Sequence, residues 1–502
     1  MGDPRYGAEV GLPSASQRRS VRPVPGLFAV AGFAIGCQTA EAPAETADSA
    51  HDGSDAIVVF WSLDTLSERA AIDDGMCERL RAIATAHGGD LSCLEGGVSP
   101  SSWTVESHLR NWWPAQNAGA RRADLYPACD DPSVLALAAA ALGGPLYMGL
   151  DNPRFADPFA DTRCDGASPW LTGVTQTWIP DFTTDLGTMA AVPEEDRPFT
   201  QALDALGVAV ADGGPAFAYL NDLEVGGHVP RCVYAPESDE CQVVWRYALA
   251  AGIVAEADDV AATMATTPFW SSVHDAVQLD RDTPAADLRA MVYATILGQV
   301  DWFRASRVED RLARLFATLE GAGRLDDLTL VIMGDHGEAP CVEEPLSRVR
   351  ACGHGDLPNE WNAQVPVYVF PAELAQDWVY AGAVGNATTP WATANVAQLV
   401  AADLGIEAPE AWPERLPVGR ATSWACSRSM LMGFSWGIDI DGDRSVRCDH
   451  DRCGEFDWHA LTDLSDGPIL ATDLPDTLAA REATTAGQAN WFLAACAGLV
   501  QD

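Results

Sequence analysis

Residues 329–338 read Thr329-Leu330-Val331-Ile332-Met333-Gly334-Asp335-His336-Gly337-Glu338. The first five are apolar or β-branched, the mark of a short strand buried on both faces, and Gly334 ends the run. An acid and an imidazole follow at once. In open parallel sheets, ligands collect beyond the carboxyl ends of strands, so Asp335 and His336 stand where chemistry gathers. A second run repeats the design: Ile57–Trp61 leads through Ser62 and Leu63 into Asp64 and Thr65. Ala216–Leu220 and Val365–Phe370 read as two further buried strands. Between strands lie helical stretches, the clearest over 287–320. There Ile296, Val300, Phe303, Leu312, Leu315, Phe316 and Leu319 recur at helical spacing, and Gly321 and Gly323 supply a stop. The alternation predicts an α/β fold whose mostly parallel sheet is covered by helices on both faces.

Asp64 at one strand end, with Asp335 and His336 at another, makes a candidate ligand set for one divalent metal ion. A lone strand-end Asp more often serves a turn or a helix cap, so the pairing carries the signal. A third segment, Ser99-Pro-Ser-Ser-Trp-Thr104-Val-Glu-Ser-His108, is rich in turn residues and leads into a predicted helix. Thr104 falls near that helix's N-terminus. The backbone N–H groups there favour an anion, which helps a threonine oxygen toward alkoxide and holds a phosphate. Trp103, Trp112 and Trp113 flank it, as pocket wall or as core.

The order of these pieces resembles the sulfatase-like branch of the alkaline phosphatase superfamily, which includes sulfatases, phosphonate monoester hydrolases and phosphoglycerol transferases. The pieces are an early strand ending in Asp-Thr, SPSSWTxxSH, an FxYLxD-type strand with HxP, a long helix, TLVIMGDHGE and GHG…VP, over about residues 55–372. The resemblance implies an alkaline-phosphatase-like fold and metal-assisted ester chemistry. It places Asp64, Asp335 and His336 as metal ligands, joined by Thr104, which aligns with the nucleophile. It makes His354, in Gly353-His354-Gly355, a contact of the transferred group, and His228, in His228-Val229-Pro230, a residue of the substrate side. The chain also departs from the pattern. Thr65 stands where many sulfatases have a second Asp, Glu106 replaces a Pro, and His108 replaces an Arg. Thr104 is not a Cys or Ser that can become formylglycine. The resemblance therefore favours phosphate, phosphonate or sulfate esters attacked by an unmodified Thr, phosphorus esters first, with His354, His228 and His108 assisting. Sulfate-ester hydrolysis by the same Thr and a degenerate binding lipoprotein are the rival readings. Mn, Mg, Ca and Zn all suit the donor set.

Composition narrows partners. The 31 basic residues are all Arg, against 72 acidic ones, for a net charge of −41. Such a surface repels nucleic acid and anionic membrane faces. The absence of Lys excludes Schiff-base chemistry and Walker loops. The expected partner is a small-molecule or lipid- or glycan-linked ester. At the N-terminus, Arg18, Arg19 and Arg22 precede the apolar run 26–36, and Ala34-Ile35-Gly36-Cys37 resembles a bacterial lipobox. Residues 1–37 are thus read as a signal for export with a lipid anchor on Cys37, the one expected link to a membrane, on its periplasmic or cell-surface side. Residues 38–54 form an acidic tether. The catalytic domain is expected over 55–424, with a small α+β subdomain over 425–502. In that subdomain Leu431–Asp439 and Ser445–Cys448 form a hairpin about Asp441-Gly442-Asp443, and a helix covers Thr477–Leu499. Of 13 Cys, 12 remain beside Cys37, an even number that suits disulfides. The local candidates are Cys232–Cys241, Cys341–Cys352 and Cys448–Cys453.

Overall fold

β1 (Ile57–Leu63) is buried along its whole length, because both of its faces are covered. A computed structural model describes most residues from Asp55 to Leu470. The stretches 1–54, 115–126, 156–163, 181–191, 224–236, 277–307, 343–350, 354–359, 427–434, 458–468 and 471–502, and shorter gaps elsewhere, lie outside the description. Side chains alternate across a strand, and β1 divides accordingly. Val58 and Phe60 enter one core with Val105, Leu109 and Trp112. Ile57, Val59, Trp61 and Leu63 enter the other with Leu80, Leu206, Leu312 and Phe316. The first core is covered by the helices Thr104–Trp112, Val134–Leu142, Ala372–Tyr380 and Val396–Asp403. The second is covered by Met76–Ala86, Pro198–Asp212 and the helix over 308–321, the described part of the long helix read from sequence.

The other strands of the large sheet are β2 (Ser92–Val98), β3 (Leu146–Leu150), β4 (Gln176–Trp178), β5 (Ala216–Asp222), β6 (Leu328–Gly334), β9 (Gln364–Phe370) and β10 (Trp391–Ala392). Their order is β10-β2-β9-β6-β1-β5-β3-β4. All four strands read from the sequence are present. One runs otherwise than a parallel reading implies: β9 is antiparallel to both β2 and β6, so the sheet is mixed, though mostly parallel. The pair β7 (Ala339–Val342) and β8 (Ala351–Gly353) forms a separate two-stranded ribbon.

A second sheet, all antiparallel, holds β11 (Arg420–Cys426), β12 (Ser435–Asp441), β13 (Arg444–Asp449), β14 (Arg452–Asp457) and β15 (Ile469–Leu470). The expected hairpin is its β12–β13 pair. The expected final helix lies outside the described residues. Ala421 of β11 packs with Val98, Ala363 and Ala392 at the end of the large sheet.

Two disulfides join described residues, Cys77–Cys93 and Cys129–Cys164. Neither was among the local candidates, because each joins segments that only the fold brings together. Cys241 is also disulfide-bonded, while its expected partner Cys232 lies outside the description. Cys448 and Cys453 stand directly opposite each other on β13 and β14.

Candidate active site

The register of β1 and β6 sets the site. Leu63 pairs with Gly334, so the next residues, Asp64 and Asp335, emerge side by side. The Asp335 N–H donates to the Leu63 carbonyl at 3.1 Å, and the Asp64 N–H donates to the Asp222 carbonyl of β5 at 3.0 Å. The loop after β1 then folds back over β6. A Cβ on Gly334 would stand 2.5 Å from the Leu66 carbonyl oxygen, so only glycine fits there. Thr65 makes the turn at φ 61°, a left-handed conformation that is a true outlier for a β-branched residue. Its N–H donates to Asp335 Oδ1 at 2.8 Å and its hydroxyl to Asp64 Oδ1 at 2.7 Å. At the position where a second ligating acid was looked for, Thr65 instead ties the two carboxylates together.

Asp64, Asp335 and His336 offer ligand atoms that all lie within 4.8 Å of one another, and all three residues are buried. The donor chemistry fits a divalent cation. Asp335 Oδ1 accepts two backbone N–H groups, from Thr65 and, at 2.7 Å, from His336. Its Oδ2 is buried with no hydrogen-bond partner, 3.6 Å from Nε2 of both His336 and His108. A buried carboxylate oxygen left bare is costly unless something positive meets it. His336 Nδ1 lies 3.0 Å from the Gly337 carbonyl, which can only accept, so Nδ1 carries the proton. In its neutral form His336 therefore turns the lone pair of Nε2 into the cluster, as a metal ligand must.

Thr104 is the first residue of its helix and is buried. Its Oγ1 is 2.9 Å from His336 Nε2, which brings the expected nucleophile onto the expected ligand set. His108, one turn further along, is buried and stands edge-on to Phe155. Its Nδ1 is hydrogen-bonded to the Tyr219 hydroxyl, and its Nε2 lies 3.0 Å from Ser62 Oγ. Trp112, whose indole can only donate, bonds Tyr219. Burial and the Asp335 charge hold the Tyr219 hydroxyl well above its usual pKa, so it stays protonated and free to donate to His108 Nδ1. With Tyr219 as the donor to Nδ1, a neutral His108 carries its proton on Nε2, toward Ser62 and Asp335 Oδ2. In these forms the two histidines present opposite characters, a lone pair from His336 and an N–H from His108. His228 and His354 lie outside the described residues.

Several residues were not singled out from the sequence. Asn152, beyond the end of β3, donates from Nδ2 to Asp64 Oδ2 at 2.7 Å. Applying the strand-end rule to Leu146–Leu150 would have found it. Ser99 and Ser107 both donate to the Asp335 carbonyl oxygen. Beside the cluster, Arg311 lies 2.6 Å from Asp222 Oδ2 and 3.6 Å from Asp151 Oδ2, and grips Glu194 at 2.7 and 2.9 Å. Burial lifts Asp151 to about 6 despite Arg311 and Arg197. Glu106, on the helix that begins at Thr104, pairs with buried Arg110 at 2.9 Å. Trp112 and Trp113 are core: Trp112 stacks on Phe60 at 4.1 Å and Trp113 meets Trp170 at 4.7 Å. Trp103 lies outside the description.

No family model and no curated protein matches the chain. Solved structures do match. A phosphonate monoester hydrolase of Agrobacterium radiobacter superposes with a TM-score of 0.52 at 13% identity, over 86% of this chain and 95% of that one. A candidate sulfatase from Bacteroides thetaiotaomicron superposes with a TM-score of 0.50 at 11% identity, over 87% and 93%. Identities this low speak for architecture, and at that level the resemblance read from the sequence holds. The chain has the alkaline-phosphatase-like α/β fold of these structures.

Proposed function

We propose that the chain is a metal-dependent hydrolase or transferase of phosphate, phosphonate or sulfate esters, with phosphorus esters preferred and Thr104 as nucleophile. The observation that carries this is the contact between Thr104 Oγ1 and His336 Nε2, 2.9 Å apart beside the Asp64–Asp335 pair. The two structural matches, a phosphonate monoester hydrolase and a candidate sulfatase, are in keeping with it.

Asp64, Asp335, His336 and Thr104 Oγ1 would hold one divalent ion, Mn, Mg, Ca or Zn. Such an ion supplies Lewis-acid charge that lowers the pKa of a bound hydroxyl and offsets charge on the attacked ester. Thr104 Oγ1 attacks the phosphorus or sulfur in line, forming the new O–P or O–S bond as the bond to the leaving alcohol breaks. The helix N-terminus at Thr104 offers N–H groups to the non-bridging oxygens. His108 turns its Nε2–H toward the cluster and supplies a further donor. His354 and His228 complete the proposal by stabilising the transferred group or protonating the leaving oxygen. Water or a second alcohol then displaces Thr104.

We place the protein outside the cytoplasm, tethered through Cys37. No helix among the described residues is long and apolar enough to cross a membrane.

The test is a panel of aryl phosphate monoesters, phosphodiesters, phosphonates and sulfates, assayed with each candidate ion. Thr104→Ala is expected to lower turnover by on the order of a thousandfold or more while divalent uptake, with three ligands left, persists in part. Full turnover by that variant would remove Thr104 from the mechanism. Sulfate-only turnover would reverse the substrate preference.

A further inference from the structure

We propose that Ser107 and Asn111 are positioning residues, which aim the Asp335 carboxylate at the ion through a buried hydrogen-bond chain. The inference rests on reading the cluster as a divalent-ion site. It starts from the acceptors of Asp335. Oδ1 is taken by the N–H groups of Thr65 and His336, at 2.8 and 2.7 Å. The carbonyl oxygen is taken by the hydroxyls of Ser99 and Ser107. Only Oδ2 is left over. Fixing every other acceptor of the residue holds Oδ2 toward the space it shares with His336 Nε2 and His108 Nε2, each 3.6 Å away.

Ser107 is the member that ties this to the nucleophile. It sits one turn beyond Thr104 on the same helix, so a single rigid element carries both the attacking oxygen and the anchor of the ligating carboxylate. A hydroxyl has one hydrogen to give. Asn111 Nδ2 donates to Ser107 Oγ at 3.2 Å, which leaves the Ser107 hydrogen to point at the Asp335 carbonyl, directly or through Ser99 Oγ, 2.9 Å away and itself a donor to that carbonyl. Asn111 Oδ1 in turn accepts from Thr393 Oγ1 at 3.0 Å. Ser107, Asn111 and Thr393 are all fully buried. The chain Thr393–Asn111–Ser107–Asp335 therefore runs without a break from the end of β10, across the nucleophile helix, to the cluster. Outer partners of this kind commonly change metal affinity by about 10–100-fold when removed.

The experiment titrates Mn²⁺ into the full, metal-stripped chain by calorimetry, alongside thermal melting and turnover at limiting and saturating Mn²⁺. The variants are Ser107→Ala, Asn111→Asp and Asp335→Asn. Asn111→Asp keeps the shape but removes the N–H that Ser107 accepts, so Ser107 turns its hydrogen away from Asp335. Both Ser107→Ala and Asn111→Asp are expected to bind Mn²⁺ about tenfold or more weakly. Their turnover should fall at limiting ion and return at saturation, which a merely structural lesion would not do. Wild-type uptake that requires Asp335 but is unchanged in a folded Ser107→Ala or Asn111→Asp overturns the inference and leaves the ion site standing. Uptake indifferent to Asp335→Asn overturns the site and the inference together. If Ser107→Ala does not fold, the isosteric Asn111→Asp decides. Lost affinity that saturating ion does not repair also counts against positioning.

Discussion

Three buried acidic groups stand at the carboxyl end of one sheet, and each is settled differently. Beyond β3 and β5, Asp151 and Asp222 face the guanidinium of Arg311, with Glu194 and Arg197 completing the network. Beyond β1 and β6, Asp64 and Asp335 have hydroxyl, amide and imidazole neighbours, and one oxygen of Asp335 accepts no hydrogen bond, with two imidazoles 3.6 Å away. At the start of the helix Glu68–Asp73, Glu68 accepts from the Gly96 N–H at 2.8 Å and from Gln364 at 3.1 Å. Burial chiefly, with Glu95 and Glu360 nearby, pushes Glu68 up to about 8, so it keeps its proton at neutral pH. Position at a strand end therefore does not by itself make an acid a ligand. What it faces decides: a fixed cation neutralises the first group, a proton the third, and the second, whose Asp335 Oδ2 has no hydrogen-bond partner, has the donor set that could hold an ion.

The largest effect should come from breaking the closed network. Arg311→Met strands Asp151 and Asp222 without their shared cation, and removing one partner of a buried ion pair costs about 3–5 kcal/mol. Chemical denaturation would measure it, and a loss under 1 kcal/mol would mean that the network is not structural. Next is Glu68. Its raised pKa stabilises the fold fully below the unfolded value near 4.5, and that contribution is lost as pH rises through about 8. Glu68→Gln removes this dependence. It should be near neutral at pH 4 and stabilising by a few kcal/mol, on the order of one per pH unit passed, by pH 8. Equal stability curves for the two proteins would return Glu68 to ordinary titration. The smallest stability effect, opposite in sign to that of Arg311, belongs to Asp335→Asn. It replaces a buried acceptor that has no hydrogen-bond donor and should raise the metal-free stability by about 1–3 kcal/mol while abolishing divalent uptake. A metal-free protein destabilised by this change would place Asp335 with the closed network after all.

The same comparison separates what was legible from what was not. Ile57–Trp61 and Thr329–Met333 were legible because a strand buried on both faces must be apolar throughout, and the polar residue that ends it stands out. Asp64, Asp335 and His336 followed from that contrast, and the fold brings them together. Arg311 was not legible, because one Arg in a helix with Leu312, Leu315 and Phe316 looks like its solvated face. Only the packed structure shows it turned inward over Phe199, 4.4 Å from the ring. Nor does a run such as Val365–Phe370 reveal its direction, since antiparallel β9 buries the same residues a parallel strand would. The Cys77–Cys93 bond was hidden for a related reason, joining a helix to the start of β2 across a separation of 16 residues.

The close passage of the Leu66 carbonyl over Gly334 has a bearing on descent. Position 334 is closed to drift for as long as the loop that carries Asp64 keeps its path, because even a methyl group would collide with backbone. Met333 and Ile332 beside it can exchange with other apolar residues at small cost. Where two chains share this fold at 11% identity, such backbone constraints fix single positions rather than long stretches. A distant homologue of this chain that has lost the glycine of Gly334-Asp335-His336 has also rebuilt the loop that carries the other carboxylate.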